Sequence, residues 1–153
     1  MACEKLPHGI IYQNIGGLFY IQRKGTPCFA VSKDTKVRSG LSIVSELSVS
    51  GMFSYPDIVV MCGEPIFFDD RGDIILNPTT IVEVLSPSTE LFDRGEKFQL
   101  VELYRRQPVD SWILQEAAGL DASVVLPAIG CTLKLADVYE RIEFAAEGGY
   151  GPD

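Results

Sequence analysis

The sequence predicts one domain of mixed α/β structure, because helical and strand patterns both occur and no linker or internal repeat divides the chain. Its 153 residues suffice to bury a core, and 46% hydrophobic and 22% charged residues are ordinary for a globular protein. Two short apolar runs, 58–61 and 80–85, have the length and β-branched content of buried strands. Residues 1–153 are expected to form this single domain, with a glycine-rich tail at 145–153 that frays.

Residues 6–24 are predicted to form the first helix, which Gly25 ends. The apolar residues of this segment recur at spacings of three and four: Ile11, Ile15, Leu18 and Phe19. His8 stands at the helix start, where a polar residue of the capping region is a better interpretation than a catalytic group. Gly16 and Gly17 weaken the helix and indicate close packing, such as packing against a sheet.

The remaining elements follow from strand patterns and turn residues. Strands are predicted at 27–32 with an extension at 36–38 beyond a bend at Asp34, and at 58–62, 80–85, 111–117 and 122–130. Residues 40–54 form a hairpin arm or a loop, and residues 133–144 form a short helix or turn that covers the sheet. A helix capped by Ser88 or Thr89 begins near Glu90. It either continues through 100–106 or gives way to a strand at 101–105.

The cysteine and histidine content and the apolar runs of the chain indicate the cellular compartment in which we expect the protein. The four cysteines are scattered without a C-x-x-C pair, and a single histidine makes a zinc site improbable. Reduced thiols in a cytoplasmic protein are therefore expected. The chain contains no apolar run near the roughly 18 residues of a membrane span, so no membrane association is predicted.

Charge is unevenly distributed along the chain. The net charge of −8 argues against a surface that coats nucleic acid in general. Residues 1–50 nevertheless carry six basic and three acidic side chains, whereas the remainder carries seven basic and eighteen acidic ones. A basic face beside an acidic pocket suits a nuclease, although solvated surface charge explains the same asymmetry.

Two carboxylates accompany the apolar runs: Asp57 opens the first run, and Glu83 lies inside the second. The turn-forming residues between the runs allow the two strands to lie side by side, which brings Asp57 and Glu83 together. A carboxylate within an apolar strand is costly unless it is compensated. A hard divalent cation with oxygen ligands compensates such a pair well, which points to metal-assisted phosphodiester chemistry.

The predicted roles follow from this pairing. Asp57 and Glu83 hold one or two Mg²⁺ ions, or Mn²⁺, with the backbone carbonyl of Val84 as a further ligand. Leu85 occupies the position at which many nucleases carry a lysine, and Lys97 on the next helix is expected to reach the same pocket instead. Its charge would orient the attacking water or neutralise the scissile phosphate. Two simpler interpretations remain open as alternatives to metal binding. In these, Asp57 is a turn residue, and Glu83 is one partner of an ion pair with a lysine or arginine.

Several blocks of the sequence resemble the Uma-two family of restriction endonucleases, within the PD-(D/E)XK nuclease superfamily. The most specific blocks are YPDIVVMCGEP, NPTTIVEVLSPSTE and FDRGEKF, and the likeness extends over most of the chain. The resemblance implies a restriction-endonuclease-like mixed β-sheet flanked by helices. It also implies a Mg²⁺-dependent site with Asp57, Glu83 and Lys97 as its functional residues, and DNA as the substrate.

The chain departs from the family pattern after Lys97, where residues run straight into Val101. The family segment that ends the lysine-bearing helix and supplies a central strand has no counterpart, so part of the usual core is expected to be missing. An uncovered strand edge invites pairing with another chain. We therefore predict a homodimer with residues 101–105 or 112–115 near its interface. An alternative function is a weak or inactive nuclease fold that binds nucleic acid or serves as an oligomeric interaction module.

Overall fold

A computed structural model describes residues 5–32, 34–39, 52–84, 100–106 and 111–143. These residues form two helices and ten strands, in a mixed α+β arrangement. The helices are α1 (Leu6–Arg23) and α2 (Leu135–Val138). The strands are β1 (Cys28–Ser32), β2 (Lys36–Ser39), β3 (Met52–Ser54), β4 (Ile58–Cys62), β5 (Ile74–Ile75), β6 (Thr80–Glu83), β7 (Leu100–Arg106), β8 (Trp112–Ala118), β9 (Ser123–Leu126) and β10 (Cys131–Lys134).

The central element is a five-stranded antiparallel sheet with the order β1-β4-β6-β7-β8. A second sheet has the order β3-β2-β5, and β9 and β10 form a third, two-stranded sheet. The predicted extension of the first strand is therefore wrong, since β2 pairs with β3 and β5 rather than continuing β1. The chain turns between the two strands at Asp34, whose φ of 68° lies in the left-handed region.

Both faces of the central sheet are covered at β4 and β6. Ile58, Val60 and Val82 point toward α1, α2 and the β9–β10 hairpin in the larger hydrophobic cluster. Val59 and Ile81 belong to a second cluster on the opposite face, together with residues of the small sheet. This alternation is the strand period, and through it β4 and β6 contribute buried residues to both clusters.

Helix α1 confirms the predicted helical segment and ends one residue earlier than predicted. Its buried residues Ile11, Ile15 and Phe19 recur every fourth position and form one continuous packing face. The expected close packing at the glycine pair is wrong, since a Cβ placed at Gly16 or Gly17 meets no atom within 4 Å.

Residues 100–106 form a strand, β7, which pairs with β6 through the register Ile81↔Tyr104. The chain thus places β7 directly beside β6, and the edge that was expected to be exposed there is filled within one protomer. Strands β5 and β10 were not anticipated, although α2 confirms the short helix predicted near the end of the chain. The remaining predictions for 40–51, 85–99 and the 145–153 tail lie outside the described residues, so the single domain over 1–153 stays a prediction.

The expectation that all thiols are reduced is wrong, because Cys28 and Cys62 form a disulfide that links β1 to β4. Antiparallel register places the two cysteines opposite each other, with their Cα atoms 4.0 Å apart. Cys131 is a buried free thiol, and burial raises its pKa. Within the described part of the chain, no helix is long and apolar enough to cross a membrane.

Candidate functional site

The carboxylates of interest meet where β4 begins and β6 ends. Strands β4 and β6 pair antiparallel with Ile58 opposite Val82, so the next position along each strand places Asp57 beside Glu83. The structure therefore confirms that the two predicted residues are brought together, as adjacent antiparallel strands require. Both side chains are only partly exposed, and the neighbouring residues of both strands are buried.

Asp57 is held by the backbone that follows β6. The N–H of Val84 donates a hydrogen bond of 2.8 Å to Oδ2 of Asp57. Because β6 ends at Glu83, this carboxylate satisfies an N–H at the position where the strand ends. The side chain of Asp57 is 16% exposed, so the bond is shielded from competing water. Asp57 thus has a defined orientation at the bend that precedes β4.

His8 belongs to this site, which the sequence did not predict. Its Nε2 lies 3.0 Å from the carbonyl oxygen of Val84 and 3.3 Å from Oδ2 of Asp57. The reason is helical geometry: His8 precedes Ile11 by three positions and Ile15 by seven, so all three share the face of α1 that packs on the sheet. That spacing, together with its being the only histidine, is the signal that sequence reasoning missed.

The position of Glu83 in the site perturbs its pKa. Its pKa is raised above the usual value, chiefly by burial and then by the negative charge of Asp57. A hydrogen bond from the Asp57 backbone and the charge of His8 act in the opposite direction without cancelling the rise. A carboxylate that is disfavoured as an anion beside a second carboxylate is a site at which a cation would be stabilising.

The donor atoms suit a hard divalent cation in kind: carboxylate oxygens from Asp57 and Glu83 and a carbonyl oxygen from Val84. Across the described residues, no three His, Cys, Asp or Glu side chains come close enough to hold a metal ion by themselves. A cation at this place therefore depends on the Val84 carbonyl and on water for part of its coordination. Mg²⁺ commonly keeps several waters, so the donor set remains compatible with it.

The predicted positive group is not part of the described geometry. Lys97 lies within 85–99, outside the described residues, as does Leu85. The structure brings together Asp57, Glu83 and Val84, and it adds His8. The catalytic role of Lys97 and the metal-binding roles of the other three residues stay predictions.

Comparison with known proteins assigns the chain to a family. The Uma2 family, described as "Putative restriction endonuclease", matches residues 1–114, which include Asp57, Glu83 and Lys97. The chain belongs to the Uma2 family. The resemblance seen in the sequence is therefore confirmed, and the match ends inside β8.

Two relatives and one solved structure show how far the similarity extends. An uncharacterised protein of Synechocystis sp., sll1609, is 30% identical over 97 residues, and the match covers 51% of this chain and 55% of that protein. A second, slr1290, is 27% identical over 158 residues, covering 90% of this chain and 76% of that one. The chain thus spans about half the length of the first relative.

The solved structure is that of a putative nuclease belonging to DUF820 from Anabaena variabilis. It superimposes with a TM-score of 0.60 at 19% sequence identity, covering 91% of this chain and 83% of its own. At that identity the likeness concerns the fold. The fold of this chain is restriction-endonuclease-like, as the sequence resemblance implied.

Proposed function

We propose that the protein is a Mg²⁺-dependent DNA endonuclease of the restriction type, which hydrolyses phosphodiester bonds. The observation that carries this proposal is the meeting of Asp57 and Glu83 at one end of a sheet, where burial and the Asp57 charge raise the pKa of Glu83. Membership of the Uma2 family supports the reaction class. Nucleic acid is the substrate class that family membership favours.

Each residue of the candidate site has its own role in the proposed reaction. Asp57, Glu83 and the Val84 carbonyl would hold the cation, which when bound polarises a phosphoryl oxygen and activates water. The Val84 N–H fixes the Asp57 carboxylate at 2.8 Å and so limits the positions that its oxygens can take. Lys97 would place a positive charge beside the scissile phosphate.

A basic and aromatic surface near the site supports nucleic acid as the partner. Lys36 Nζ lies 4.7 Å from the ring centre of Phe53, and the Arg38 guanidinium lies 5.0 Å from that of Phe68. Tyr55, two residues before Asp57, is 64% exposed and completes this surface. Cations attract phosphates and aromatic rings stack with bases, so the combination favours a nucleic acid that approaches Asp57.

Plasmid nicking tests the proposed reaction. Wild-type protein should nick supercoiled plasmid with Mg²⁺ and stop when EDTA is added, and Asp57→Ala should lower the rate by orders of magnitude. Lys97→Ala should lose activity yet keep metal binding, because its charge acts on the phosphate. Nicking that persists in EDTA and in Asp57→Ala would refute the assignment. A fully active Lys97→Ala would remove Lys97 from the mechanism.

Metal binding is tested separately from activity. Mn²⁺ should raise the melting temperature of the wild type, because a ligand that binds only the folded state stabilises it. Glu83→Gln should abolish that rise, since it removes one carboxylate of the pair. An equal rise in Glu83→Gln would show that the cation binds elsewhere.

A second candidate function is an oligomeric interaction module, and one observation favours it. The four central residues of β8, 113–116, are all exposed. Because alternate residues of a strand point to opposite faces, both faces of β8 are exposed there. In the described residues β8 is the last strand of its sheet, so its outer backbone groups are available for pairing. A homodimer through β8 is thus part of our proposal, whereas β7 lies inside the sheet and is less suited to an interface.

A cytoplasmic location also belongs to the proposal, because a nuclease directed at cellular DNA would act there. The Cys28–Cys62 disulfide must then form in a compartment that normally keeps thiols reduced. Trapping free thiols with an alkylating reagent at cell lysis tests this directly. Cys28 and Cys62 should be protected from alkylation, and complete labelling of both would show that the bridge is absent in the cell.

A further inference from the structure

We propose that the basic and aromatic surface near Asp57 binds unpaired nucleotides of a DNA strand, whose bases stack on its rings. This inference rests on the proposed function and deepens it, because it names the substrate class as single-stranded DNA rather than continuous duplex. The surface consists of two cationic and three aromatic side chains: Lys36, Arg38, Phe53, Tyr55 and Phe68.

The surface is built on the outer face of the sheet β3-β2-β5. Val37 of β2 is buried in the second hydrophobic cluster, so its neighbours Lys36 and Arg38 point to the opposite face. Phe53 of β3 pairs with Arg38 and therefore shares that face. The rings remain accessible to a ligand, since Phe53 is 39% exposed and Phe68 is 44% exposed.

Cations and rings alternate along this surface. Lys36 Nζ lies 4.7 Å from the ring centre of Phe53 and 5.7 Å from that of Tyr55. The Arg38 guanidinium lies 5.8 Å from the ring centre of Phe53 and 5.0 Å from that of Phe68. Each cation therefore stands between two rings and attracts both of them. Rings that are positioned before the ligand arrives lose less conformational freedom when it binds.

The exposed rings favour an unpaired strand over a duplex. A duplex presents its phosphates outward, and Lys36 and Arg38 alone would suffice to contact them. The faces of its bases are covered by stacked neighbours, so a protein ring reaches a base face only where the base has left the stack. The bases of a single strand stack on aromatic side chains with little dependence on sequence. Three exposed rings on one face of a sheet therefore match the single strand.

The surface adjoins the candidate site at one end and carboxylates at the other. Tyr55 precedes Asp57 by two residues, so their Cα atoms lie within about 7 Å of each other. A base stacked on Tyr55 therefore brings its phosphates near Asp57. The segment after Phe68 carries three carboxylates, which repel phosphates: Asp69, Asp70 and Asp73. We expect the strand to extend from the surface toward Asp57 and away from this segment.

Fluorescence anisotropy of labelled oligonucleotides in EDTA tests the inference, because it measures binding without cleavage. The probes are a single-stranded DNA of about 12 nucleotides, within the range of single-strand binding sites, and the duplex of the same sequence. The full-length wild type should bind the single strand at least about fivefold more tightly than the duplex, which is the effect of one stacked base.

Substitutions at Tyr55 separate stacking from other apolar contact. Tyr55→Leu keeps an apolar side chain without a ring and should weaken single-strand binding by at least about fivefold. Tyr55→Phe keeps the ring and should retain the wild-type affinity. The matched control is Tyr20→Ala, which should change neither affinity. Tyr20 is 66% exposed, but it lies on α1, which packs against the opposite face of the central sheet.

A substitution of Lys36 tests the phosphate contacts. For single strands, each phosphate contact adds about 0.7 to the slope of log affinity against log salt concentration. Lys36→Gln should reduce the magnitude of this slope by about that amount, whereas Tyr55→Leu should leave it unchanged. A slope that Lys36→Gln does not alter would overturn the assignment of phosphates to this surface. Circular dichroism confirms that each variant is folded.

Failure of this inference is distinguishable from failure of the proposed function. If the duplex binds as tightly as the single strand, or if Tyr55→Leu binds like the wild type, the inference is overturned, whereas Mg²⁺-dependent nicking still supports the endonuclease. Absence of binding to both probes also overturns it. If Tyr55→Leu weakens single-strand binding but the wild type cleaves no DNA with Mg²⁺, the inference stands and the endonuclease proposal fails.

Discussion

Strands β4 and β8 belong to the same sheet but have opposite environments. Ile58, Val59, Val60 and Met61 of β4 are at most 1% exposed, because the two hydrophobic clusters cover both faces of the strand. In β8, Ile113 and Leu114 are each 46% exposed. The candidate site adjoins the covered strand, where packing can hold a carboxylate in place, whereas the uncovered strand offers a surface for another chain.

The largest expected effect on stability compares one substitution in the two strands. Ile58→Ala should reduce the free energy of unfolding by about 2–5 kcal/mol, because it removes buried methylene groups and leaves a cavity. At concentrations where the protein is monomeric, Ile113→Ala should change it by no more than about 0.5 kcal/mol, as is usual at exposed positions. Chemical denaturation of both variants measures the difference. Equal losses would show that β8 is covered in solution.

The Cys28–Cys62 disulfide links the covered strand β4 covalently to β1. Cys28 and Cys62 are separated by 34 residues, and closing a loop of this size stabilises a protein by about 2–4 kcal/mol. Dithiothreitol should therefore lower the melting temperature of the wild type. The double variant Cys28→Ala, Cys62→Ala should already melt at the lower temperature and should not respond to dithiothreitol. A wild type that is indifferent to the reductant would contradict this contribution.

A smaller effect concerns Glu83 in metal-free protein. Because its pKa is raised in the folded state, the folded protein binds a proton more tightly than the unfolded chain does. Stability should therefore fall as the pH rises from the ordinary glutamate pKa through the raised value. Glu83→Gln should remove this loss and stabilise the protein at neutral pH in EDTA.

The matched control for Glu83 lies on the uncovered strand. Glu116 of β8 occupies the same row of the sheet, since Glu83 pairs with Glu102 and Glu102 pairs with Glu116. Its side chain is exposed, so Glu116→Gln should leave the dependence of the melting temperature on pH unchanged. If both variants behave alike, burial at the site is not the cause of the Glu83 effect.

The smallest effect on unfolding is expected from charges placed on β8. The double variant Ile113→Lys, Leu114→Lys alters two exposed positions and should cost the folded protomer little. If β8 mediates association, light scattering should give about twice the 16.8 kDa chain mass for wild type and a lower mass for the variant. A monomeric wild type at micromolar concentration would remove the dimer from the proposal.

The sequence by itself determined the elements whose signal is local. The three- and four-residue spacing in α1 and the apolar runs of β4 and β6 predicted these elements and their faces. The turn residues between the two runs also predicted that Asp57 and Glu83 would meet, because two strands joined by turns can lie side by side, and β4 pairs with β6 although β5 lies between them in the chain. The apolar period of α1 and the continuous apolar runs of β4 and β6 agree with the burial in the fold.

Only the tertiary structure decided the features that join distant segments. His8 reaches Val84 across 76 residues, and Cys28 reaches Cys62 across 34, so neither contact has a local pattern. Residues 100–106 fitted a helix or a strand, and pairing with both β6 and β8 selected the strand. Such choices depend on which backbone groups and side chains a folded neighbour offers, and a local sequence pattern does not contain that information.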